Sequence, residues 1–302
     1  MTTGRSTRVA VVAVTWNSAA VLPGLLRSVR DSDFEGEIVV VVVDNDSSDD
    51  TAAVAAEVLP ETRVISTGRN AGYAAGANRG IAAVPDADYY LLVNPDLRLD
   101  PAAIQALVDE HRASGAGIVV PRLTDESGVL RWSMRRDPSV LRAWGEALLG
   151  GTRAGRVALL GEMECREWMY RSPCFTDWAT GAAMLISRDC SRAVGAWDES
   201  FFLYSEETDF ALRARDAGFS VRYTPDALAV HFEGDSHQSP SLYALLAVNR
   251  VRLFRKRHGP IRTAAFRFGA LVAELIRSAH PVHRAALLGL LGRRGVAAQP
   301  GT

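Results

Sequence analysis

The chain has 302 residues, 48% hydrophobic and 23% charged, and its 34 Lys+Arg against 35 Asp+Glu leave a formal net charge of −1. That length holds one large α/β domain or two small ones, buries a sizeable core without disulfide or metal staples, and excludes disorder as a general description. The near-neutral total argues at first against a nucleic-acid or membrane partner, yet residues 241–302 carry eleven Lys/Arg and the single acid Glu274, a net of +10, while the first 240 residues are −11.

In chain order, Met1 to Arg8 is short and polar, without the apolar stretch of a signal peptide. Val9 to Val14 is an apolar, β-branched run that predicts a strand, ends at Thr15-Trp16-Asn17, and gives way to a helix from about Ala19 to Arg30. Ile38 to Val43 is aliphatic without alternation, as expected of a strand buried on both faces of a parallel sheet, and the helix-like Thr51 to Leu59 follows it. Arg63 to Ser66 predicts a third strand, Ala71 to Val84 a helix, Tyr89 to Val93 a fourth strand and Pro101 to Ala113 another helix. This alternation predicts a doubly wound, mostly parallel sheet over residues 8–120, with its ligand at the carboxyl ends of the strands.

Beyond Pro121 the pattern weakens into a loop and a helical excursion through Gly161, then tightens again over 177–235 around apolar Ala182 to Ile186 and the strand-like Ser220 to Tyr223. From Ser241 onward the chain reads as helical and basic. The expected organisation is therefore one α/β unit over 1–240, with halves at 8–120 and 121–240, followed by a basic helical extension over 241–302. Cys165, Cys174 and Cys190 are too few and too irregularly spaced for a disulfide framework or a zinc site. No run reaches the ~18 apolar residues of a membrane span, so a cytoplasmic protein is expected.

Four constellations carry chemistry. Asp44, Asn45 and Asp46 close the second strand, where they either hydrogen-bond a base and ribose or cap the next helix. GRNAGYAAGANRG spaces Gly68, Gly72, Gly76 and Gly80 four apart, which suits either close approach of a phosphate or tight helix–sheet contact. Thr15-Trp16-Asn17-Ser18 stands where a dinucleotide-binding dehydrogenase would have its glycine-rich turn, so that class is poorly supported. Asn94-Pro95-Asp96 offers a carboxylate at a strand end for Mg²⁺ or Mn²⁺, ions that take oxygen ligands and leave positions for substrate phosphates. Residues 195–219 set Asp198, Glu199, Glu206, Glu207 and Asp209 among Trp197, Phe201, Phe202 and Tyr204, where partial desolvation raises a carboxyl towards general-base range. His231 ends an apolar run and is a candidate second metal ligand.

The ordered motifs TWN, VDN-x-S-x-D, RN-x-GYA-x-G-x-N-x-G, NPD, G-x-WDE-x-FF-x-Y-x-E-E-x-D and H-x-x-G-x-S, over about Val9 to Gly259, resemble glycosyltransferase family 2 enzymes with a GT-A fold. The nearest likeness is to the bacterial rhamnosyltransferase-like and galactofuranosyltransferase-like branch. The resemblance assigns nucleotide binding to the 8–120 half and acceptor binding with catalysis to the 121–240 half. The resemblance implies that Thr15, Asn17, Asp44 and Asn45 hold the base and ribose of a dTDP- or UDP-linked sugar donor, with Asn70, Gly72, Asn78 and Asn94 in the same pocket. It implies a metal on Asp96 and His231, and a catalytic base at Glu207 or Glu206. Asn94 replaces the first aspartate of the family's D-x-D motif, and Glu207 replaces its usual aspartate. Trp178, Trp197, Tyr204 and Asp209 are weaker candidates for acceptor contacts. The implied reaction is a single in-line displacement that inverts the sugar and passes it to a glycan, lipid-linked or natural-product hydroxyl. A catalytically silent nucleotide-sugar-binding protein is the alternative; a sugar nucleotidyltransferase fits less well, because Thr15 to Ala20 lacks the glycine-rich basic loop. The segment Leu242 to Leu291, with Arg250, Arg252, Arg255, Arg257, Arg262 and Arg267, reads as a basic amphipathic surface for an anionic membrane or for a protein face.

Overall fold

The computed structural model describes residues 6–232 and 239–292. Its first half alternates β1 (Arg8–Thr15), α1 (Leu22–Arg30), β2 (Glu37–Asp44), α2 (Thr51–Val58), β3 (Arg63–Ser66), α3 (Tyr73–Ala82), β4 (Tyr89–Val93), β5 (Leu97–Leu99), α4 (Ala103–Ser114) and β6 (Ile118–Thr124). The second half runs β7 (Met134–Arg135), α5 (Val140–Leu149), α6 (Gly151–Gly155), a 3₁₀ turn at Glu167–Tyr170, β8 (Cys174–Thr176), β9 (Trp178–Ala179), β10 (Ala183–Ser187), α7 (Arg188–Val194), α8 (Glu206–Asp216) and β11 (Val221–His231). Three helices follow, α9 (Pro240–Arg257), α10 (Pro260–Ile276) and α11 (Pro281–Leu290). Each begins on a proline, whose missing N–H costs nothing in a first turn.

One nine-stranded sheet has the order β3-β2-β1-β4-β10-β6-β11-β5, with β8 added against β11. The β1–β2, β1–β4 and β2–β3 pairs are parallel, as the aliphatic runs predict. The weakly patterned second half supplies the exceptions: β10 runs antiparallel between β4 and β6, and β5 is an antiparallel edge on β11. The short apolar Ser220 to Tyr223 segment grows into an eleven-residue strand whose register slips between Thr224 and Leu228, around Pro225.

The missing alternation in β1 has a direct cause. Val9, Val11 and Ala13 enter the core layer under α1 and α4, while Ala10, Val12 and Val14 enter the opposite layer with Trp197 and Phe210. Gly76 and Gly80 of α3 face that second layer. A Cβ on either would fall 2.5 Å from Val14 Cγ1 or 2.2 Å from Val12 Cγ1, so these two glycines serve helix–sheet contact and leave phosphate approach to others.

The +10 segment does not behave as one basic face. From α9, Arg250 reaches Glu146 and Glu162 at 3.1 and 2.6 Å, Lys256 reaches Asp198 and Asp209 at 2.8 and 2.6 Å, and Arg257 reaches Asp216 at 2.7 Å. Arg252 donates to the Ser200 carbonyl at 2.6 Å. Much of the expected membrane-facing charge is therefore consumed in binding this helix to the acidic body. Among the described residues no helix is long and apolar enough to cross a membrane.

Candidate active site

Two polar regions lie at the carboxyl ends of the strands. In the first, the Thr15 hydroxyl donates to Val43 O at 3.3 Å and lies 3.4 Å from Asp44 Oδ1. The Asp44 carboxylate accepts from the Ser47 amide at 3.2 Å and from its hydroxyl. Asn17 donates its amide to Ser47 Oγ at 2.9 Å, and its side-chain oxygen accepts from the Ser48 amide at 2.8 Å. Asn17 and Asp46 hold positive φ angles of 50° and 64°, conformations that Asn and Asp tolerate better than other side chains. Asn45 joins this region to the start of α3 through Nδ2 to Gly72 O at 3.0 Å, and its Oδ1 is buried without a hydrogen-bond partner. Asn70 accepts from the Gly72 amide at 3.2 Å. Gly72 itself requires glycine: its φ is 86°, and a Cβ would lie 2.3 Å from Phe202 O.

The second region is a cleft of about 740 Å³ between the sheet and the C-terminal helices, lined by Asn94, Trp178, Tyr204, Glu206, Glu207 and His231 among others. Glu206 and Glu207 open α8, and the turn that delivers them has two consecutive non-glycine residues with positive φ, Tyr204 at 67° and Ser205 at 75°. Such local strain persists only where surrounding contacts over-determine it. The contact here is buried Asn249 of α9, whose side-chain amide donates to Leu203 O at 2.8 Å and Tyr204 O at 3.3 Å. Sequence reasoning missed Asn249 because its partners lie 45 and 46 residues away.

Burial pushes both carboxyls above the ordinary range. Glu206 lies well above it, driven by desolvation and then by the neighbouring Glu207 charge. Glu207 is also raised by desolvation, with backbone N–H groups and the Arg135 guanidinium opposing. Glu206 Oε2, Glu207 Oε2 and the Tyr73 hydroxyl are all buried without hydrogen-bond partners. Desolvation, then the two glutamate charges, also push the Tyr73 phenol up. Gly181 leaves room for this arrangement, since a Cβ there would sit 3.2 Å from that of Glu207. Arg135 and Tyr73 also belong to the cleft; Tyr73 lies within the RN-x-GYA motif without a role assigned to it, and no spacing pattern singled out Arg135.

Asp96 and His231 meet at the β5 edge, with Nε2 to Oδ1 at 3.2 Å. The Phe232 amide donates to Asp96 O at 3.0 Å and fixes this pair across the two chain segments. Asp96 Oδ1 is buried and, although His231 Nε2 lies 3.2 Å away, makes no hydrogen bond of good geometry; a carboxylate oxygen and an imidazole nitrogen so placed fit a shared cation. Among the described residues no group of three or more His, Cys, Asp or Glu is arranged to hold a metal. Two protein ligands therefore suit a divalent ion that takes its other oxygens from water and a diphosphate. Gly234 and Ser236 of the H-x-x-G-x-S stretch lie outside the described residues.

Three expected site residues are corrected. Trp197 is 2% exposed and stacked on Phe210 at 4.7 Å between ring centroids, so it has no free face for a sugar. Asp209 is fully buried and ion-paired with Arg213 and Lys256 at 2.7 and 2.6 Å, which removes it from the acceptor side. Asn78 brackets the Trp197 backbone, accepting from its amide at 2.8 Å and donating to its carbonyl at 3.1 Å, and so holds a loop instead of lining a donor pocket. Trp178 stays on the cleft wall, with its indole N–H bound to Arg136 O at 3.0 Å.

Residues 10–165 match Glycosyl transferase family 2. The chain is 31% identical over 237 residues to an N-acetylglucosaminyl-diphospho-decaprenol L-rhamnosyltransferase of Mycobacterium tuberculosis, covering 75% of this chain and 76% of that protein. It is 28% identical to the low-salt glycan biosynthesis hexosyltransferase Agl10 of Haloferax volcanii, over 66% of this chain and 61% of that one. Among solved structures, the mannosyltransferase PcManGT from Pyrobaculum calidifontis, in complex with GDP-Man and Mn²⁺, superposes with a TM-score of 0.57 at 17% identity, covering 97% of this chain and 77% of that one. The first two likenesses concern sequence and the third the fold alone. The chain belongs to glycosyl transferase family 2 and is a glycosyltransferase of the GT-A architecture.

Proposed function

We infer that this enzyme moves a rhamnose-like sugar or a hexose from a dTDP- or UDP-linked donor to a hydroxyl of a glycan or lipid-linked acceptor, inverting the anomeric centre. The observation that carries this reading is the pair of buried carboxyls at the start of α8, whose unpartnered oxygens share one cleft with Asn94 and His231. Two neighbouring acids in unlike surroundings divide the acid–base work between them. The rise of Glu207 is opposed by the Arg135 charge and several backbone N–H groups, so it is assigned the role of taking the proton from the acceptor hydroxyl. Glu206, raised further by desolvation and by the Glu207 charge, is the less suited of the two to that role.

Asp96 and His231 fit a divalent cation, Mg²⁺ or Mn²⁺, through the unbonded buried oxygen and the imidazole nitrogen 3.2 Å from it. When bound, such an ion neutralises the charge that develops on a departing nucleoside diphosphate. Thr15, Asn17, Asp44 and Asn45 hold the base and ribose, within a loop already set by Ser47 and Ser48. Support for the sugar and the lipid-linked acceptor comes from the mycobacterial relative, whose name specifies a rhamnose transferred to a diphosphate-linked polyprenol.

The test is transfer from dTDP-rhamnose and UDP-hexoses to an N-acetylglucosaminyl-diphospho-lipid, with proton NMR of the first-formed product. The expected result is inverted anomeric configuration, loss of turnover in EDTA and recovery with Mn²⁺. Retained configuration would overturn the single-displacement reading.

A further inference from the structure

The helices whose inner faces line the cleft turn an unusual surface outward. On α10, Ile261, Phe268, Val272, Leu275 and Ile276 follow one helical stripe, and Ile261 is 84% exposed. On α5 the corresponding stripe is Leu141, Trp144 and Leu148, with Leu148 66% exposed. Trp144 and Phe268 meet edge to face at 5.5 Å, so the two stripes form one surface. Val157 and Leu159, just beyond α6, are exposed as well. An apolar surface of this extent signals a partner.

Charge identifies the partner. Segments 140–160 and 258–292 contain two acids, Glu146 and Glu274. Glu146 is bonded to Arg250 and to the Glu162 amide, and Glu274 is 9% exposed and bound to His283 at 2.6 Å. These helices therefore offer solvent no free carboxylate. They do offer exposed Arg153, Arg156, Arg262, Arg267 and Arg284, none with a carboxylate partner among the described residues. Apolar side chains interspersed with unpaired arginines suit the headgroup region of an anionic bilayer. A second copy of this chain is the poorer match, because the same arginines would face one another across a symmetric contact.

We propose that α5, α6, α10 and α11 form a membrane-docking face for an anionic lipid bilayer and that the cleft behind them takes its acceptor from that bilayer. Glu146, Gly151, Ala273, Glu274 and His283 on these helices, and Arg277 just past the end of α10, line the cleft, so the docking face and the cleft wall are two sides of the same layer. Arg250, Arg252 and Arg257 of α9, bound to the catalytic body, take no part. Docking itself is independent of the reaction; the delivery step alone rests on the lipid-linked acceptor proposed above.

The experiment is cosedimentation of the full chain with phosphatidylcholine vesicles, with and without phosphatidylglycerol, at low and high salt, beside light scattering of the protein alone. The wild type is expected to bind the anionic vesicles and to release in high salt. At about 1 kcal/mol per arginine, the combined Arg153→Ala, Arg156→Ala, Arg262→Ala variant should lose roughly a hundredfold in partitioning. A Leu148→Ser, Ile261→Ser, Leu275→Ser variant, altered at exposed positions only, should also bind weakly. Both variants should keep wild-type turnover of a water-soluble acceptor and lose turnover of vesicle-borne acceptor. Absence of wild-type binding to anionic vesicles, variants that bind like wild type, or a dimer that the serine variant dissociates would each overturn the proposal. Vesicle binding without any sugar transfer would overturn the proposed reaction and leave docking intact.

Discussion

The two polar regions at the strand ends are built on opposite principles. Around Asp44 the side chains satisfy one another: its carboxylate is bound by Ser47, Asn17 is bound by Ser47 and Ser48, and the Ser18 amide is bound by Thr51. Asn45 Oδ1 is the exception there. Around α8 the pattern reverses, with Glu206, Glu207 and Tyr73 each burying an oxygen without a hydrogen-bond partner and Asp96 burying one that faces His231 Nε2 at 3.2 Å. An unsatisfied buried polar group costs about 1–3 kcal/mol, more when charged. The first region is thus a finished scaffold that can receive a ligand with little rearrangement, and the second stores a desolvation cost that a substrate or cation relieves. The contrast matches the proposed division between donor binding and chemistry.

The strongest way to break that comparison is to neutralise the cleft without changing its shape. Glu207→Gln should reduce kcat about 10²–10⁴-fold with little change in donor affinity, because it removes the proposed general base and leaves the proposed nucleotide region untouched. Single-turnover transfer assays together with donor binding by calorimetry check both halves of this. A mutant with normal kcat would mean that Glu206, or a group outside the cleft, takes the proton.

A smaller effect should follow from loosening the turn that aims the carboxyls. Asn249→Ala removes two hydrogen bonds, 2.8 and 3.3 Å long, to the Leu203 and Tyr204 carbonyls that lead into the strained Tyr204–Ser205 turn. The expected loss is about 1–3 kcal/mol of stability and roughly tenfold in kcat, with KM for the donor unchanged. Asn249→Asp keeps the shape but cannot donate, so it should resemble the alanine variant; rescue by aspartate would show that packing alone positions the turn. Thermal melts and steady-state kinetics separate the two contributions.

How much of this was legible in the sequence follows from the range of each interaction. The strand ends holding Thr15, Asp44 and Asp96 could be read because apolar runs and their polar terminators are local, and the sheet then gathers them at one edge. The antiparallel β10 could not, since a five-residue apolar strand carries no sign of its direction. Trp197 and Asp209 misled for a related reason: in sequence they sit among the functional carboxylates, but α8 turns Asp209 towards Lys256 and Arg213 and puts Trp197 on Phe210. The basic extension misled through its mean. Its charge was plain, whereas its division between ion pairs to the body and a bare outer face required the packing of α9 and α10 to be seen.

The gentlest test of the contrast is a stability measurement on Glu206. In the unfolded chain a glutamate titrates near its ordinary value of about 4.3, whereas burial and Glu207 raise Glu206 well above that in the folded protein. Between these two values the folded state binds the additional proton, so stability falls as pH rises through the window, by up to about 1.4 kcal/mol per pH unit for one group. It is fully present below the unfolded value and stops falling once the folded pKa is passed. Glu206→Gln is nearly isosteric and cannot titrate, so it should melt with the wild type near pH 4 and above it at pH 8, by on the order of a few degrees. Buried Asp44, whose carboxylate is already bound by Ser47, provides the opposite case. Its replacement by Asn puts an amide where Ser47 needs an acceptor and should lower the melting temperature at pH 8. Opposite signs at the two sites would sharpen the distinction between a satisfied scaffold and a cleft held under desolvation, and equal signs would remove it.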